Sequence, residues 1–319
     1  MRLLIALIAV LVLALISLFI GVSDVSPLLL FSAEPDARQL QILLASRIPR
    51  TLALLLSGTA MAVAGMIMQM LTRNRFVEPS TAGTVESASL GILAVTLLAP
   101  GMPLFGKMIV AGMFAMAGTL LFLRILQSIP LRSVLIVPLI GMMLGGVISA
   151  VTTFIAYRYD LLQSLGAWTT GDFSGVMRGR YELLWITLGL TFAAYLAADR
   201  FTVAGMGEAF ATNLGMTYRR VMTLGLIIVS MVTAIVVVSV GIVPFLGLVV
   251  PNLVRMVLGD NLRRALPWIA VTGAGFVLAC DIFGRLVRFP YEIPIGTVAG
   301  VVGSLLFLYV LLRRGAHVG

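Results

Sequence analysis

The sequence predicts an all-α integral membrane protein with about ten transmembrane helices, and three observations carry that prediction. Hydrophobic residues make up 60% of the 319 and charged residues only 11%, whereas a soluble domain is roughly a quarter charged. Mean hydropathy is +1.11. The apolar residues fall into runs, divided by proline, glycine or charge clusters, most of them near the roughly 20 residues that a helix needs to cross a bilayer. Runs of this kind leave no room for a soluble catalytic domain. Residues 1–319 therefore read as one transmembrane domain, and any energy-converting domain is expected on another chain.

The first run, 3–21, has the look of a secretory signal, but it is long and only one arginine precedes it. No small-x-small cleavage site stands before Val22-Ser23-Asp24, so it is expected to stay as the first span. The second run, 50–71, follows Pro49, which suits the first position of a helix. Further runs lie near 87–99, 105–127, 134–156, 183–198, 221–241, 244–258, 267–284 and 295–312. Those at 87–99, 183–198 and 244–258 are short for a full crossing and should be completed by irregular backbone buried in protein. An even number of spans puts both termini on one side. With that side cytoplasmic, the outside holds nine basic residues: Arg38, Arg47, Arg50, Lys107, Arg158, Arg178, Arg180, Arg285 and Arg288. The other 13 of the 22 are inside, the direction the positive-inside rule favours. Lys107 is the only lysine, and charge in such a chain concerns topology and partners rather than nucleic acid.

A polar island at 205–215, within a segment near 200–220, interrupts these runs. Gly205, Met206, Gly207, Glu208, Phe210, Leu214 and Gly215 compose a short helix at the membrane surface. Glu208 lies in the first turn, where a carboxylate suits the positive helix end, and Gly215 supplies a left-handed stop. Met206, Phe210 and Leu214 recur every four residues and share a face. Two turns are not stable alone, so that face must dock on its own protein or on a soluble partner.

Small residues at Gly141 and Gly145 and at Gly296, Gly300 and Gly303 let helix backbones approach closely, through internal packing or as a dimer seam or substrate path. A faint echo links 64–74 to 248–256, both apolar runs nearing the inside face. Arg47 and Arg50 flank the start of the second span, where a cation opposes the helix dipole, and Arg285 and Arg288 follow the ninth. They either snorkel to the interface or offer rigid bidentate forks to the carboxylates of an extracytoplasmic protein. Asp281 is the one acid inside a long apolar span, and it can pair with Arg285 one turn on or serve as a proton or cation site. Gly101 to Met108 nearly spells a phosphate-binding loop but lacks the Ser or Thr that would hold magnesium. Cys280 stands alone, His317 lies in the C-terminal tail, and no metal-ligand spacing appears.

Several motifs together carry a resemblance. Arg47-Ile48-Pro49-Arg50-Thr51-Leu52, then Ala62 to Gln69, then Thr72 to Pro79 are followed by Val243-Pro244-Phe245-Leu246-Gly247, Pro251-Asn252, Asp281-x-x-Gly284-Arg285 and Glu292-Ile293-Pro294-Ile295-Gly296. In this order they resemble the permeases of ABC importers for ferric siderophores, haem and vitamin B12. The resemblance implies a ten-helix subunit of the type II importer permease fold in a bacterial inner membrane. It implies a second permease, identical or paralogous, two cytoplasmic ATPase subunits that hold ATP and magnesium, and a periplasmic or lipid-anchored binding protein. This chain would bind no cofactor and perform no bond chemistry. Arg47, Arg50 and Arg285 match positions that face glutamates of the binding protein, and 205–215 matches the segment that couples to the ATPase. Glu86 falls in a loop near the inner end of the pathway, where the vitamin B12 permease has asparagine. Asn252, where many members have histidine, with Gly259-Asp260-Asn261 and Arg288 to Glu292, resembles the branch for catecholate or mixed-ligand iron siderophores. The expected cargo is a ferric siderophore. Haem or cobalamin is the alternative within the family, and a proton-coupled carrier using Asp281 is the alternative outside it.

Overall fold

A computed structural model describes residues 2–21, 37–129, 136–259 and 261–315. Val22-Ser23-Asp24, Arg132, Asp260 and His317 lie outside the described residues. Helix α1 is Arg2–Phe19. Helix α2, Ala37–Ile42, runs through a single π-helical turn, Leu43–Arg47, into α3, Ile48–Leu71. Then come α4 (Thr84–Leu98), α5 (Leu104–Ser128), α6 (Ile136–Arg158), α7 (Leu162–Thr169), α8 (Trp185–Leu196) and α9 (Ala198–Gly205). The chain finishes with α10 (Glu208–Asn213), α11 (Tyr218–Val240), α12 (Leu246–Leu258), α13 (Leu262–Leu286) and α14 (Ile295–Gly315).

Among the described residues, six helices are long and apolar enough to cross a membrane, and α8 and α9, bent by 62° at their junction, pass the same test only as a pair. The apolar α4 and α12, and the apolar stretch Ile295–Val310 of α14, are shorter. These elements coincide with the ten apolar runs, and the runs too short for a full crossing are α4, the bent pair and α12. At about 1.5 Å per residue, the 13 residues of α12 reach only about 20 Å of the roughly 30 Å of hydrocarbon.

The start of the second span differs from expectation. Pro49 stands in the first turn of α3, as expected, but the helical path already begins at Ala37 and reaches α3 through the π turn. A proline inside a helix removes the hydrogen bond to the carbonyl four residues back. Here that carbonyl belongs to Ala45, and the backbone N–H of Arg178 fills it at 3.0 Å. The π turn directly before Pro49 absorbs the irregularity.

Helix α3 is the axis of the molecule, with α13, α11, α12 and α8 packed around it, and α5 and α4 beyond α11. Small residues make this possible. A Cβ on Gly58 would lie 2.7 Å from the carbonyl oxygen of Gly273 in α13, and one on Gly65 would overlap the backbone of Gly247 in α12. Close backbone approach of this kind replaces the hydrophobic drive that is missing between helices in lipid. The axis also repairs α12. Pro251 leaves the Gly247 carbonyl without its helical donor, and the Gln69 amide supplies one at 3.2 Å. Asn252 Nδ2 donates to Arg75 O and Leu248 O, both at 2.8 Å. The two stretches that faintly echo one another in sequence, 64–74 and 248–256, thus pack together. Helices α1 and α6 form opposite rims, one against α13 and the other against α4, and present mainly apolar side chains outward.

Candidate functional site

Three places carry chemistry beyond packing, and the first is where α1 and α13 end and α3 begins. Asp281 Oδ1 accepts from Arg50 Nε at 3.1 Å and from Arg50 Nη2 at 2.6 Å, while Arg50 Nη1 donates to Glu292 Oε2 at 2.7 Å. Asp281 Oδ2 accepts from Arg285 one helical turn on. Arg285 also donates to the carbonyls of Ser17 at 3.0 Å and Ile20 at 2.6 Å, and to Ser17 Oγ at 2.6 Å. Arg47 donates to the Ile20 carbonyl. The structure brings the motif arginines together, but turned inward: Arg47, Arg50 and Arg285 are 7%, 8% and 3% exposed. Forks expected to reach outward for partner carboxylates hold carboxylates and carbonyls of their own chain. A guanidinium removed from water needs such partners, because an unpaired buried charge costs several kcal/mol. Four elements are fastened by the cluster: α1, α3, α13 and the 288–294 connection.

The second place is the polar island, at the opposite end. Gly207 (φ 118°) starts α10 and Gly215 (φ 75°) stops it, both in backbone that favours glycine. Ala211 anchors the helix from beneath. Met206, Phe210 and Leu214 are 61%, 47% and 59% exposed, so the apolar row does not dock on its own chain. Glu208 lies in the first turn, and the Arg73 guanidinium packs against Gly207.

The third place joins the α3–α4 connection to the middle of the molecule. Glu78 makes a capping box with Thr81 and receives hydrogen bonds from Ser80 Oγ at 2.6 Å and from the Phe245 N–H at 3.0 Å. The N–H groups of Gly247 and Leu248 also point at it. A carboxylate so placed satisfies the free donors that open α12, after a break in which Gly241 and Phe245 have φ of 82° and 62°. Burial pushes the Glu78 carboxyl above its ordinary range, against the downward pull of these hydrogen bonds. Eight residues on, Glu86 lies in the first turn of α4, and its Oε2 is buried without a hydrogen-bond partner.

The glycine rows lie beside this region. Gly141 packs on the Thr81 carbonyl and Gly145 on the Glu86 carboxyl. Gly296 seats against Gly171 and Ile242, with its N–H bonded to the Gly171 carbonyl at 2.9 Å, and a Cβ on Gly300 would lie 3.6 Å from Pro244 Cγ. In this chain both rows face the protein itself. Glu78, Gln69 and Ser17 escaped sequence reasoning. The Glu78-x-x-Thr81 spacing was a readable capping signal, whereas the partners of Gln69 and Ser17 lie far away in sequence.

Residues 8–313 match the FecCD transport family. The chain belongs to that family. This FecCD protein is 49% identical over 310 residues to the petrobactin import system permease protein YclN of Bacillus subtilis, covering 97% of this chain and 98% of that one. It is 44% identical over 271 residues to the ferric-anguibactin transport system permease protein FatD of Vibrio anguillarum, covering 85% and 86%. Its fold is similar to a metal-chelate type ABC transporter solved in an inward-facing conformation, with a TM-score of 0.82, 25% identity and coverage of 98% and 99%. The FecCD chain is thus a multi-pass permease subunit of a bacterial ABC importer with the type II fold, and is not itself an enzyme. An importer of this kind works with ATPase and binding-protein partners.

Proposed function

We propose that this chain is one of two membrane subunits that carry a ferric siderophore across the cytoplasmic membrane by alternating access, driven by ATP hydrolysis in partner chains. The observation that carries this reading is the end-to-end identity to the petrobactin permease, supported by similarity to a ferric-anguibactin permease. Catecholate-type chelates are the expected cargo class, from the motif branch that Asn252 and Arg288 to Glu292 resemble. The 13 to 9 division of basic residues favours cytoplasmic termini, which puts the polar island in the cytoplasm and the ionic cluster outside.

The exposed row of Met206, Phe210 and Leu214 is the surface offered to the ATPase, with Gly205, Gly207, Glu208 and Gly215 shaping the segment around it. Two such ATPases, holding ATP and magnesium, would drive two permeases, identical or paralogous, between outward and inward states. The bent pair α8–α9 and the connection from α11 to α12, with positive φ at Gly241 and Phe245, supply irregular backbone near the pathway, and Glu86, Gly141, Gly145, Gly296 and Gly300 belong to the tightly packed walls of that region. A periplasmic or lipid-anchored binding protein delivers the cargo at the Arg47, Arg50 and Arg285 end. Its carboxylates would engage these arginines by replacing Glu292, the more exposed of the two acids on Arg50.

Uptake of radiolabelled iron by cells lacking this chain, and by cells with it restored, tests the proposal across catecholate, hydroxamate and carboxylate siderophores. Restoration by haem or cobalamin alone would discard the siderophore while keeping the importer. A proton-coupled carrier built on Asp281 has less support, since both carboxylate oxygens already hold arginines.

A further inference from the structure

We propose that a cavity between α4, α6 and α7 is a recognition site for a protonated amine, with Glu86 as its charged acceptor. The cavity is about 420 Å³; Glu86, Ser89, Ser149, Thr152, Thr153 and Thr169 form its polar wall and Leu162, Leu165 and Ile242 its apolar one, with no lysine or arginine in the lining. Three of its five hydroxyls spend their protons on helix carbonyls. Ser89 Oγ donates to Val85 O at 3.1 Å, Thr152 Oγ1 to Ile148 O at 2.7 Å and Thr169 Oγ1 to Leu165 O at 2.9 Å. Each hydroxyl has one proton and two acceptor lone pairs, so these three turn lone pairs toward the cavity. Glu86 adds a carboxylate whose buried Oε2 has no partner. Gly145 makes room for that carboxylate, because a Cβ there would lie 3.2 Å from the Glu86 Cδ. The neighbouring acid, Glu78, is already committed to Ser80 and to the N–H groups opening α12.

One carboxylate beside spare hydroxyl lone pairs selects its occupant by charge and by donors. An anion would meet the like charge of Glu86, and an apolar group would leave Oε2 unsatisfied. An ammonium group supplies both the charge and the N–H donors, and the volume admits an organic chain behind it. That the amine belongs to the cargo rests on the import reading above. The cavity also continues along α6 into a shallower groove past Gly146, Ser149, Thr153 and Tyr157, which gives it a route of entry.

The test uses the whole transporter in nanodiscs, with a Ser149→Cys substitution at the cavity mouth; the native Cys280 is buried. Labelling of the new thiol by a water-soluble methanethiosulfonate reagent is timed with n-butylammonium, tetramethylammonium or n-butanol present. Butylammonium should slow labelling about tenfold, the scale of a charge-assisted hydrogen bond, and the other two probes should not. Glu86→Gln should abolish this protection, and Thr152→Val, which keeps the shape and removes one acceptor, should weaken it. Equal protection by butanol, protection that survives both substitutions, or a thiol that the aqueous reagent never reaches would each overturn the proposal. Labelling needs neither turnover nor known cargo, so these outcomes leave the importer reading standing, and iron uptake tests that reading separately.

Discussion

Replacing Asp281 by asparagine keeps the shape of the side chain and removes the charge on which two arginines converge. Arg50 would lose a two-point contact and Arg285 the carboxylate one turn away, leaving guanidinium groups 8% and 3% exposed whose remaining acceptors, among the described residues, are Glu292, Ser17 Oγ and backbone carbonyls. Breaking a buried pair by removing one member costs about 3–5 kcal/mol. Arg50→Met should cost a similar amount, because it leaves Asp281 partly unpaired and deprives Glu292 of its ion pair. Both substitutions delete the same contact, so the double variant should fall short of the summed single effects by about 1–3 kcal/mol. Reversible unfolding in mixed SDS micelles, run as a double-mutant cycle, reads this coupling. Additive effects within about 0.5 kcal/mol, or single variants that match the parent, would refute the reasoning that this cluster fastens the ends of α1, α3 and α13.

The remaining predictions concern the axis, the cap and the polar island. Gly65→Ala puts a methyl group into the Gly247 backbone and should destabilise the protein by about 1–3 kcal/mol or more, read as loss of monodisperse protein in size-exclusion chromatography. Glu78→Gln turns an amide NH2 toward the N–H groups that open α12 and should cost about 1–3 kcal/mol below the ordinary carboxyl range, where the contribution of Glu78 is fully present. Because the folded carboxyl titrates above its unfolded value, its contribution is fully present below the unfolded pKa and is lost as pH rises through the folded one. The parent should therefore lose stability over that interval, and the glutamine variant should have a flatter profile in the same unfolding assay. Phe210→Asp should leave the permease folded, since the side chain is 47% exposed, and should weaken ATPase association by about 2 kcal/mol, measured by co-purification and titration.

Apolar run length made the spans legible, down to the half-length α4 and α12, because the requirement to cross hydrocarbon acts directly on composition. The turn glycines Gly207 and Gly215 were legible for a similar reason, since left-handed backbone selects residue type locally. The inward turn of Arg50 was not legible. Asp281 has a ready partner at Arg285 one turn away, and nothing local announces a second arginine 231 positions back in the chain. Pro49 marked the first turn of α3, but the helical lead-in before it was not legible, since its Ala45 carbonyl is satisfied by Arg178, a donor that only tertiary folding supplies. The glycine rows were visible as close-approach sites, but which backbone approaches them was not. Glu86 was singled out by its place in a motif, whereas its acceptor-lined surroundings depend on rotamers that no pattern encodes.

Iron uptake into proteoliposomes containing this permease with its partner chains tests the central claim most directly. The account predicts accumulation of a ferric siderophore that requires ATP and the binding protein, stops when the ATPase is inactivated, and continues when an uncoupler abolishes the proton gradient. Uptake that persists without the ATPase and collapses with the gradient would contradict it.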